Sequence, residues 1–346
     1  MLTTINLQPD REILHSPPNP GTAHSSPDLR PIVLAIVGPT ASGKSALGIK
    51  LAKEFNGEVI SADSRAIYRT LNIGTGKPVG EKQWVGSKPG SEKPLLVEGI
   101  PHWGFDLIDP DQGYSAAQFV KYADEKIVQI IERGGIPIIV GGTGLYISGL
   151  IDRLEFTAKN STNHLIVSQI YDQTNNADRL GLSDHAGSFN TQLQVSEVQL
   201  PMAEWSRTDR PRTYNSLMIG INWEREELYK RIDNRVDGMV AMGLIPEARQ
   251  AGLEFGFEAP GLSGIGYREL GEFFNNEITL KIAIEKIKQA SRNYAKRQLT
   301  WFRADARIHW IKPDLTVVQA ELSGVPVEAS RLVTEFLTKG PVVKES

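Results

Sequence analysis

A single stretch within the first fifty-five residues limits the possible folds of this chain more than any other feature. Residues 32–37 form an unbroken apolar run with β-branched side chains, which is typical of a strand buried on both faces of a parallel sheet. Residues 38–45 read GPTASGKS and match G-x-x-x-x-G-K-[ST], and Leu47 and Leu51 then follow at helical spacing. A strand, a glycine-rich turn and a helix in this order predict a phosphate-binding loop.

The chemistry of this loop indicates a ligand with linked phosphate groups. Backbone N–H groups converge on phosphate oxygens in such a loop, and the helix N-terminus adds partial positive charge. Lys44 is predicted to reach the phosphate oxygens, and Ser45 is predicted to offer its hydroxyl to Mg²⁺. The pattern does not by itself indicate ATP hydrolysis. The residues predicted to bind the diphosphate or nucleotide are Gly38, Thr40, Ala41, Ser42, Gly43, Lys44 and Ser45.

Alternating apolar runs and helical stripes predict an α/β fold. The first half of the chain is predicted to form a parallel sheet flanked by helices, as in P-loop NTPases, and the second half a mainly helical part. Strands are predicted at 58–61, 136–140 and 218–221. Helices are predicted at 44–55, closed by Gly57, and at 114–133, 225–251, 279–303 and near 329–338.

Composition divides the chain into five segments with different expected roles. Pro, Ser and other polar residues without periodicity indicate disorder, whereas apolar periodicity indicates a folded core. The predicted segments are a disordered tail at 1–30, a P-loop α/β core at 31–151, a divergent polar insertion at 152–215, a return to the core with basic helices at 216–312, and a C-terminal tail that can include a helix at 313–346.

Charge and composition exclude several classes of protein. The 346 residues carry 38 Lys and Arg against 41 Asp and Glu, so RNA binding would need a local basic surface. There is no cysteine, which excludes disulfides and thiolate metal sites, and the six histidines lack zinc-ligand spacing. No apolar run approaches the ~20 residues of a membrane span, and no secretory signal is evident. We therefore expect a cytoplasmic protein.

Two further strand ends carry polar side chains that could face the phosphate loop. Asp63 follows the predicted strand at 58–61, and Thr143 follows the strand at 136–140 within the run GGTGLY. The carboxyl ends of parallel strands line the ligand crevice of an open α/β sheet. A carboxylate there can accept a proton from a substrate, and glycines let the backbone approach a ligand closely. Either residue could instead cap the turn or helix that follows.

A basic segment in the second half contrasts with the acidic chain. Between positions 281 and 307, eight Lys and Arg face only two acidic residues, a local charge of +6. Arg292, Lys296 and Arg303 share a face at helical spacing, and aromatic residues lie between them. This combination suits contact with RNA. The alternative is a solvated helix face whose aromatic residues, Tyr294 and Trp301, belong to the core.

Seven blocks of the sequence resemble the tRNA dimethylallyltransferases, also called tRNA isopentenyltransferases. The blocks are GPTASGKS, ISADSRAIYRTLNIGTGKP, DLIDPDQGYSAAQF, PIIVGGTGLY, REELYKRIDNRVDGMVAMGLIPEA, GIGYRE and RNYAKRQLTWFR. They occur in the family's order over about 32–150 and 216–312. The run AKRQLTWFR is highly specific, because no general structural rule requires it.

This resemblance implies transfer of a dimethylallyl group from its diphosphate to the N6 amine of the adenosine 3′ of the anticodon in tRNA. The loop would hold the diphosphate leaving group with Mg²⁺. Asp63 would accept the N6 proton, Thr143 would assist beside the adenine, and Arg225 would contact the diphosphate. The partners would be dimethylallyl diphosphate and the tRNA anticodon stem-loop, bound by a monomer. The residues expected to contact RNA are Asp63, Ser64, Arg65, Ala66, Gly266, Tyr267, Arg268, Arg292 and Lys296.

The sequence departs from the family pattern at two places, and two other functions stay open. Ala66 stands where the family usually has Gln after the D-S-R triplet. Residues 152–217 are shorter than the family's helical region and lack its H-P-N-D and R-A-L-E-V blocks. The shorter region favours an adenylate isopentenyltransferase that modifies a free nucleotide, whereas the basic segment favours tRNA. A P-loop nucleotide kinase or nucleotide-binding protein would share the loop but would not need AKRQLTWFR.

Overall fold

The structure is a computed structural model that describes residues 30–82, 92–154, 213–313 and 325–339. Nearly all of the predicted tail at 1–30 and most of the predicted insertion at 152–215 lie outside the described residues. The strands are β1 (Ile32–Val37), β2 (Gly57–Ser61), β3 (Glu81–Lys82), β4 (Leu95–Val97), β5 (Ile100–Trp103), β6 (Ile136–Gly141), β7 (Asn215–Ile221) and β8 (His309–Ile311).

These strands form one sheet in the order β3-β4-β5-β2-β6-β1-β7-β8. The six strands from β5 to β8 in this order are parallel to one another, and β3 and β4 are antiparallel additions at one edge. The phosphate-loop strand β1 lies between β6 and β7, so the chain returns to the sheet after residue 213. The predicted parallel α/β sheet is confirmed, and the three short strands at 81–103 were not predicted.

Helices cover both faces of the sheet and extend beyond it. They are α1 (Lys44–Glu54), α2 (Ala116–Glu132), α3 (Gly144–Asp152), α4 (Arg225–Ala241), α5 (Leu244–Phe255), α6 (Tyr267–Phe274), α7 (Leu280–Arg303) and α8 (Val325–Lys339). The helix predicted near 329–338 lies within α8. No helix in the described ranges is long and apolar enough to cross a membrane.

The core consists of three clusters of buried residues. Two of them lie on opposite faces of the sheet, because β1 is buried on both faces. Leu34 and Ile36 pack with α1, α4 and α8 on one face, and the alternate residues Val33 and Ala35 pack with α2 and α3 on the other. A third cluster joins α4, α5, α6 and α7 to the segment around Leu71. This cluster is the predicted helical part of the second half.

The single helix predicted at 225–251 is wrong, because the structure has two helices there. α4 ends at Ala241 and α5 begins at Leu244, and Gly243 between them has φ +104°. This left-handed conformation interrupts a right-handed helix and favours glycine. Gly57 likewise does not close α1, since it begins β2 and the left-handed residue is Asn56, at φ +51°.

We predict opposite effects for two alanine substitutions that bracket this break. Gly243→Ala should lower the free energy of unfolding by about 1–2 kcal/mol, because alanine is strained at positive φ. Gly238→Ala, inside α4 with no neighbour within 4 Å of an added Cβ, should raise it by about 0.5–1 kcal/mol. Urea denaturation would measure both values, and equal shifts would contradict the assignment of the break to backbone conformation.

Candidate active site

The phosphate loop, Asp63 and Thr143 follow three neighbouring strands at the same edge of the sheet. The strand order β2-β6-β1 places their carboxyl ends side by side. The loop between β1 and α1 needs unusual backbone conformations, with φ +137° at Gly38, +61° at Ala41 and +94° at Gly43. The predicted convergence of these segments at one edge is therefore present in the fold.

Side chains from the second half of the chain hold the phosphate loop from outside. Trp223, just after β7, donates its indole N–H to the carbonyl of Ser42 at 2.9 Å. Arg231 on α4 donates to the carbonyl of Ala41 at 3.0 Å and stacks over the Trp223 ring at 4.3 Å. These bonds satisfy two backbone carbonyls of the loop and help to stabilise its strained backbone conformation.

Two polar groups of the loop are poised for a ligand. The hydroxyl of Ser42 is buried and has no hydrogen-bond partner within the described residues. A buried polar atom without a partner costs about 1–3 kcal/mol, so a ligand oxygen at this position would be stabilising. The amine of Lys44 donates to the carbonyl of Pro39 at 2.6 Å, which places it at the loop rather than in bulk solvent.

Lys44, Arg235 and Asp63 form the charged centre of the site. Burial and the charge of Arg235 lower the pKa of Lys44 to about 7, and the Asp63 carboxylate partly opposes this shift. The surrounding protein also lowers the pKa of Arg235, again opposed by Asp63. Arg235 lies on α4 and its guanidinium reaches the backbone of Gly76. Two cations beside one carboxylate suit a polyanion that reacts next to a base.

Asp63 performs part of the capping role that was the alternative to a base. Its Oδ1 accepts the backbone N–H of Arg65 at 2.8 Å and that of Ala66 at 3.4 Å. No described hydrogen bond involves Oδ2. The turn therefore orients the carboxylate without using both oxygens, and the two interpretations are compatible.

Thr143 occupies the N-cap position of α3, but its hydroxyl does not cap that helix. Instead, Thr143 Oγ1 accepts the backbone N–H of Ser64 at 3.0 Å and lies 3.4 Å from the Ser64 hydroxyl. The backbone N–H of Thr143 also donates to the carbonyl of Ala62 at 3.2 Å. Thr143 thus holds the residues on either side of Asp63.

The glycines around Thr143 face protein rather than open space, contrary to the expectation that they admit a ligand. A Cβ at Gly141 would overlap the carbonyl of Ala62, and one at Gly142 would overlap the amide of Gln298. A Cβ at Gly144 would overlap the ring of Trp301. Glycine is needed here because β2 and α7 approach the backbone closely.

The structure does not support the predicted contact of Arg225 with the diphosphate. Arg225 is exposed in the first turn of α4, and its described contact is a stack on the Tyr229 ring at 5.2 Å. Arg231 and Arg235 of the same helix contact the loop or face its charged centre. They are four residues apart in the block REELYKRIDNRV, a helical spacing that was available as a signal.

Several residues predicted to contact RNA have structural roles instead. Ala66 is 3% exposed and Tyr267 is 1% exposed, so neither side chain offers a surface to a partner. Tyr267 donates its hydroxyl to Glu247 at 2.6 Å. Gly266 is also buried and is the N-cap residue of α6, while Arg268 is exposed and pairs with Glu269 at 2.6 Å.

Glu247 and Arg65 connect the segment that follows Asp63 to neighbouring elements by hydrogen bonds. Glu247 accepts the backbone N–H of Asn72 at 2.8 Å and that of Gly74 at 2.9 Å. Arg65 donates to the carbonyl of Pro260 at 3.1 Å. The segment that follows Asp63 is thereby attached to α5 and to the turn before α6. No sequence pattern indicated the role of Glu247.

Only part of the basic segment is a free cationic surface. Lys286, Lys288, Arg292 and Arg307 each pair with carboxylates of the described residues. Arg292, predicted to contact RNA, is 20% exposed and lies 2.5 Å from Asp233. The predicted contact Lys296 is exposed, as are Arg297 and Arg303. None of these three pairs with a carboxylate in the described ranges, and we call them the α7 basic patch.

Comparison with known proteins agrees with this geometry. The sequence matches the family described as IPP transferase over residues 66–305 and that described as isopentenyl transferase over 31–85. It is 35% identical over 323 residues to a tRNA dimethylallyltransferase of Staphylococcus epidermidis, covering 87% of this chain and 93% of the relative. It is 37% identical over 308 residues to one of Pelotomaculum thermopropionicum, covering 83% and 93%.

Solved structures show the same likeness. A tRNA delta(2)-isopentenylpyrophosphate transferase of Staphylococcus epidermidis superposes with a TM-score of 0.62 at 34% identity, over 87% of this chain and all of the other. A eukaryotic dimethylallyltransferase acting on tRNA superposes with a TM-score of 0.64 at 26% identity, over 91% and 81%. The family match spans more than half of the chain and the identity extends over most of each relative's length. This chain therefore belongs to the IPP transferase family.

Proposed function

We propose that this protein transfers a dimethylallyl group from dimethylallyl diphosphate to the N6 amine of the adenosine 3′ of the anticodon in tRNA. The observation that carries this proposal is the charged centre in which Lys44 of the phosphate loop interacts with Arg235 and Asp63. Family membership supports the reaction class, and the α7 basic patch supports an RNA acceptor. The cysteine-free composition supports a cytoplasmic location.

In this mechanism the phosphate loop binds the diphosphate leaving group, and Asp63 at the end of β2 is the base. The bond between C1 of the allyl group and the diphosphate oxygen breaks, and a bond from N6 to C1 forms. Lys44 and Arg235 stabilise the negative charge that develops on the diphosphate. Asp63 accepts the proton that leaves N6, so the products are the prenylated adenosine, diphosphate and a protonated carboxyl group.

The residues of the loop also fit the binding of Mg²⁺ together with a diphosphate. Ser45 is exposed in the first turn of α1, and the Ser42 hydroxyl has no hydrogen-bond partner among the residues that the structure describes. The described residues contain no cluster of three or more acidic or histidine side chains that could hold a metal. Mg²⁺ usually keeps several waters and binds through substrate phosphates, so one serine hydroxyl beside a bound diphosphate fits it. When bound, it would neutralise charge on the leaving group, with Ser45 as its protein contact.

The decisive experiment offers one labelled donor to two acceptors, tRNA and AMP, and separately tests the protein for hydrolysis of ATP. We expect label from dimethylallyl diphosphate to appear in tRNA and not in AMP, because the α7 basic patch suits an RNA backbone. Transfer to AMP alone, or hydrolysis of ATP without transfer, would replace this proposal with one of the alternatives.

Asp63→Asn keeps the oxygen that accepts the N–H of Arg65 but removes the base, so transfer should fall about 10²–10⁴-fold.

Donor binding should depend on pH because Lys44 has a pKa of about 7 in the free protein. Below pH 7 the amine is charged and attracts the diphosphate, and above pH 7 it loses its proton before binding. The affinity should therefore fall roughly fivefold from pH 7 to pH 8. Calorimetry with dimethylallyl diphosphate would measure this. Lys44→Ala controls for titration of the ligand itself, and an equal pH dependence in that variant would refute the prediction.

The α7 basic patch should account for part of the salt dependence of tRNA binding. Each lost phosphate contact flattens the log–log salt dependence by about 0.7–0.9 unit. The triple variant Lys296→Ala, Arg297→Ala and Arg303→Ala should therefore bind tRNA more weakly, with a slope reduced by about two units, and should bind the donor normally. Lys281→Ala, at the far end of α7, is the matched control. An unchanged slope in the triple variant would exclude this patch as an RNA contact.

A further inference from the structure

A buried amide on α7 joins the two loops of the active site. Gln298 is 5% exposed. Its Oε1 accepts the backbone N–H of Thr40 at 2.8 Å, and its Nε2 donates to the carbonyl of Gly142 at 2.9 Å. An N–H can only donate and a C=O can only accept, so these two partners determine the orientation of the amide.

The contact leaves no spare room between the loops. A Cβ at Gly142 would overlap the Nε2 of Gln298 and would lie 3.3 Å from the carbonyl oxygen of Gly38. Only glycine at 142 therefore lets the amide reach both backbones. The two strands that lead into these loops pair as far as Val37 and Gly141, and the Gln298 amide is the side-chain bridge that joins the loops just beyond that point.

The loop of Gly142 leads directly to the predicted base. Thr143 is the next residue, and its hydroxyl accepts the backbone N–H of Ser64, which adjoins Asp63. A shift of Gly142 would therefore move the Asp63 segment relative to the phosphate loop. Reacting atoms must approach to about 3–3.5 Å, and a misplacement of 1 Å can cost about 10²-fold in rate.

We propose that Gln298 is a positioning residue for prenyl transfer, which sets the distance between the diphosphate held by the phosphate loop and the acceptor amine held beside Asp63. This inference rests on the proposed function, because it assigns the two reactants to the two loops. Gln298 does not touch the reacting atoms. It acts through Thr40 on one side and through Gly142 and Thr143 on the other.

The first test replaces the amide with an apolar side chain of similar length. Gln298→Met should lower kcat for tRNA prenylation about 10–10²-fold. The KM for tRNA and the Kd for dimethylallyl diphosphate should each change less than about threefold, because the patch and the loop residues remain. Gln289→Met is the matched control on an exposed turn of the same helix, where the side-chain hydrogen bonds of Gln289 within the described ranges go to its α7 neighbours Asn293 and Arg292. It should behave as the wild type.

The second test approaches the same contact from Gly142 and does not depend on the folding of Gln298→Met. Gly142→Ala should lower kcat by pushing against the amide. Gln298→Ala should also lower kcat, because it removes both bridging hydrogen bonds. The double variant Gln298→Ala, Gly142→Ala lacks the obstructing amide, so its loss of kcat should not exceed that of the worse of the two single variants Gln298→Ala and Gly142→Ala. Additive losses would show that the two positions act independently and would overturn the proposal.

Three results therefore separate the possibilities. Unchanged kcat in Gln298→Met would overturn the positioning role. A loss of donor affinity in proportion to the loss of kcat would also overturn it, since Gln298 would then only support the phosphate loop. Failure of the wild-type protein to prenylate tRNA would instead reject the proposed function, and this is measured before any variant is compared.

Discussion

The shape of the phosphate-binding loop depends on hydrogen bonds that come from the other half of the chain. Ala41 has a left-handed backbone conformation, which costs free energy for any residue other than glycine. The bonds from Trp223 and Arg231 to the loop carbonyls, and from the Thr40 N–H to Gln298, offset this cost. The strand and helix that flank the loop define its position, but these three side chains define its conformation.

Side chains from distant parts of the chain also fix the segment that carries Asp63. The segment after Asp63 has little regular secondary structure of its own, and Thr143, Glu247 and Arg65 attach it to three different elements. Lys77 reinforces this segment with an ion pair to Asp106 at 2.5 Å. Hydrogen bonds are directional, so they restrict the position and orientation of a carboxylate more tightly than apolar packing does. These bonds therefore tie the segment after Asp63 to its neighbours at the point where the proposed chemistry needs a fixed distance.

The net charge of a sequence segment differs from the charge that the folded protein presents at that place. The basic segment has few acidic residues in its own sequence, yet carboxylates of α4, α6 and the end of α3 meet half of its cations. Asp233, for example, pairs with Arg292 although the two are 59 residues apart. Of the other four cations, Lys281 lies alone at the start of α7, and the remaining three are the α7 basic patch, which is smaller than the sequence indicated and lies at the end of α7 that also carries Gln298.

The sequence alone determined the parallel sheet, the phosphate loop and the alignment of three strand ends, because these follow from local apolar patterns and from the geometry of parallel strands. It also determined the family, because the characteristic blocks are contiguous in the sequence and can be recognised without a structure. Tertiary structure decided which arginine contacts the loop, why Tyr267 is buried, and that Gly142 beside Thr143 faces Gln298 rather than a ligand. Such contacts join residues more than a hundred positions apart. No local pattern encodes them, since a side chain's partner depends on how whole elements pack.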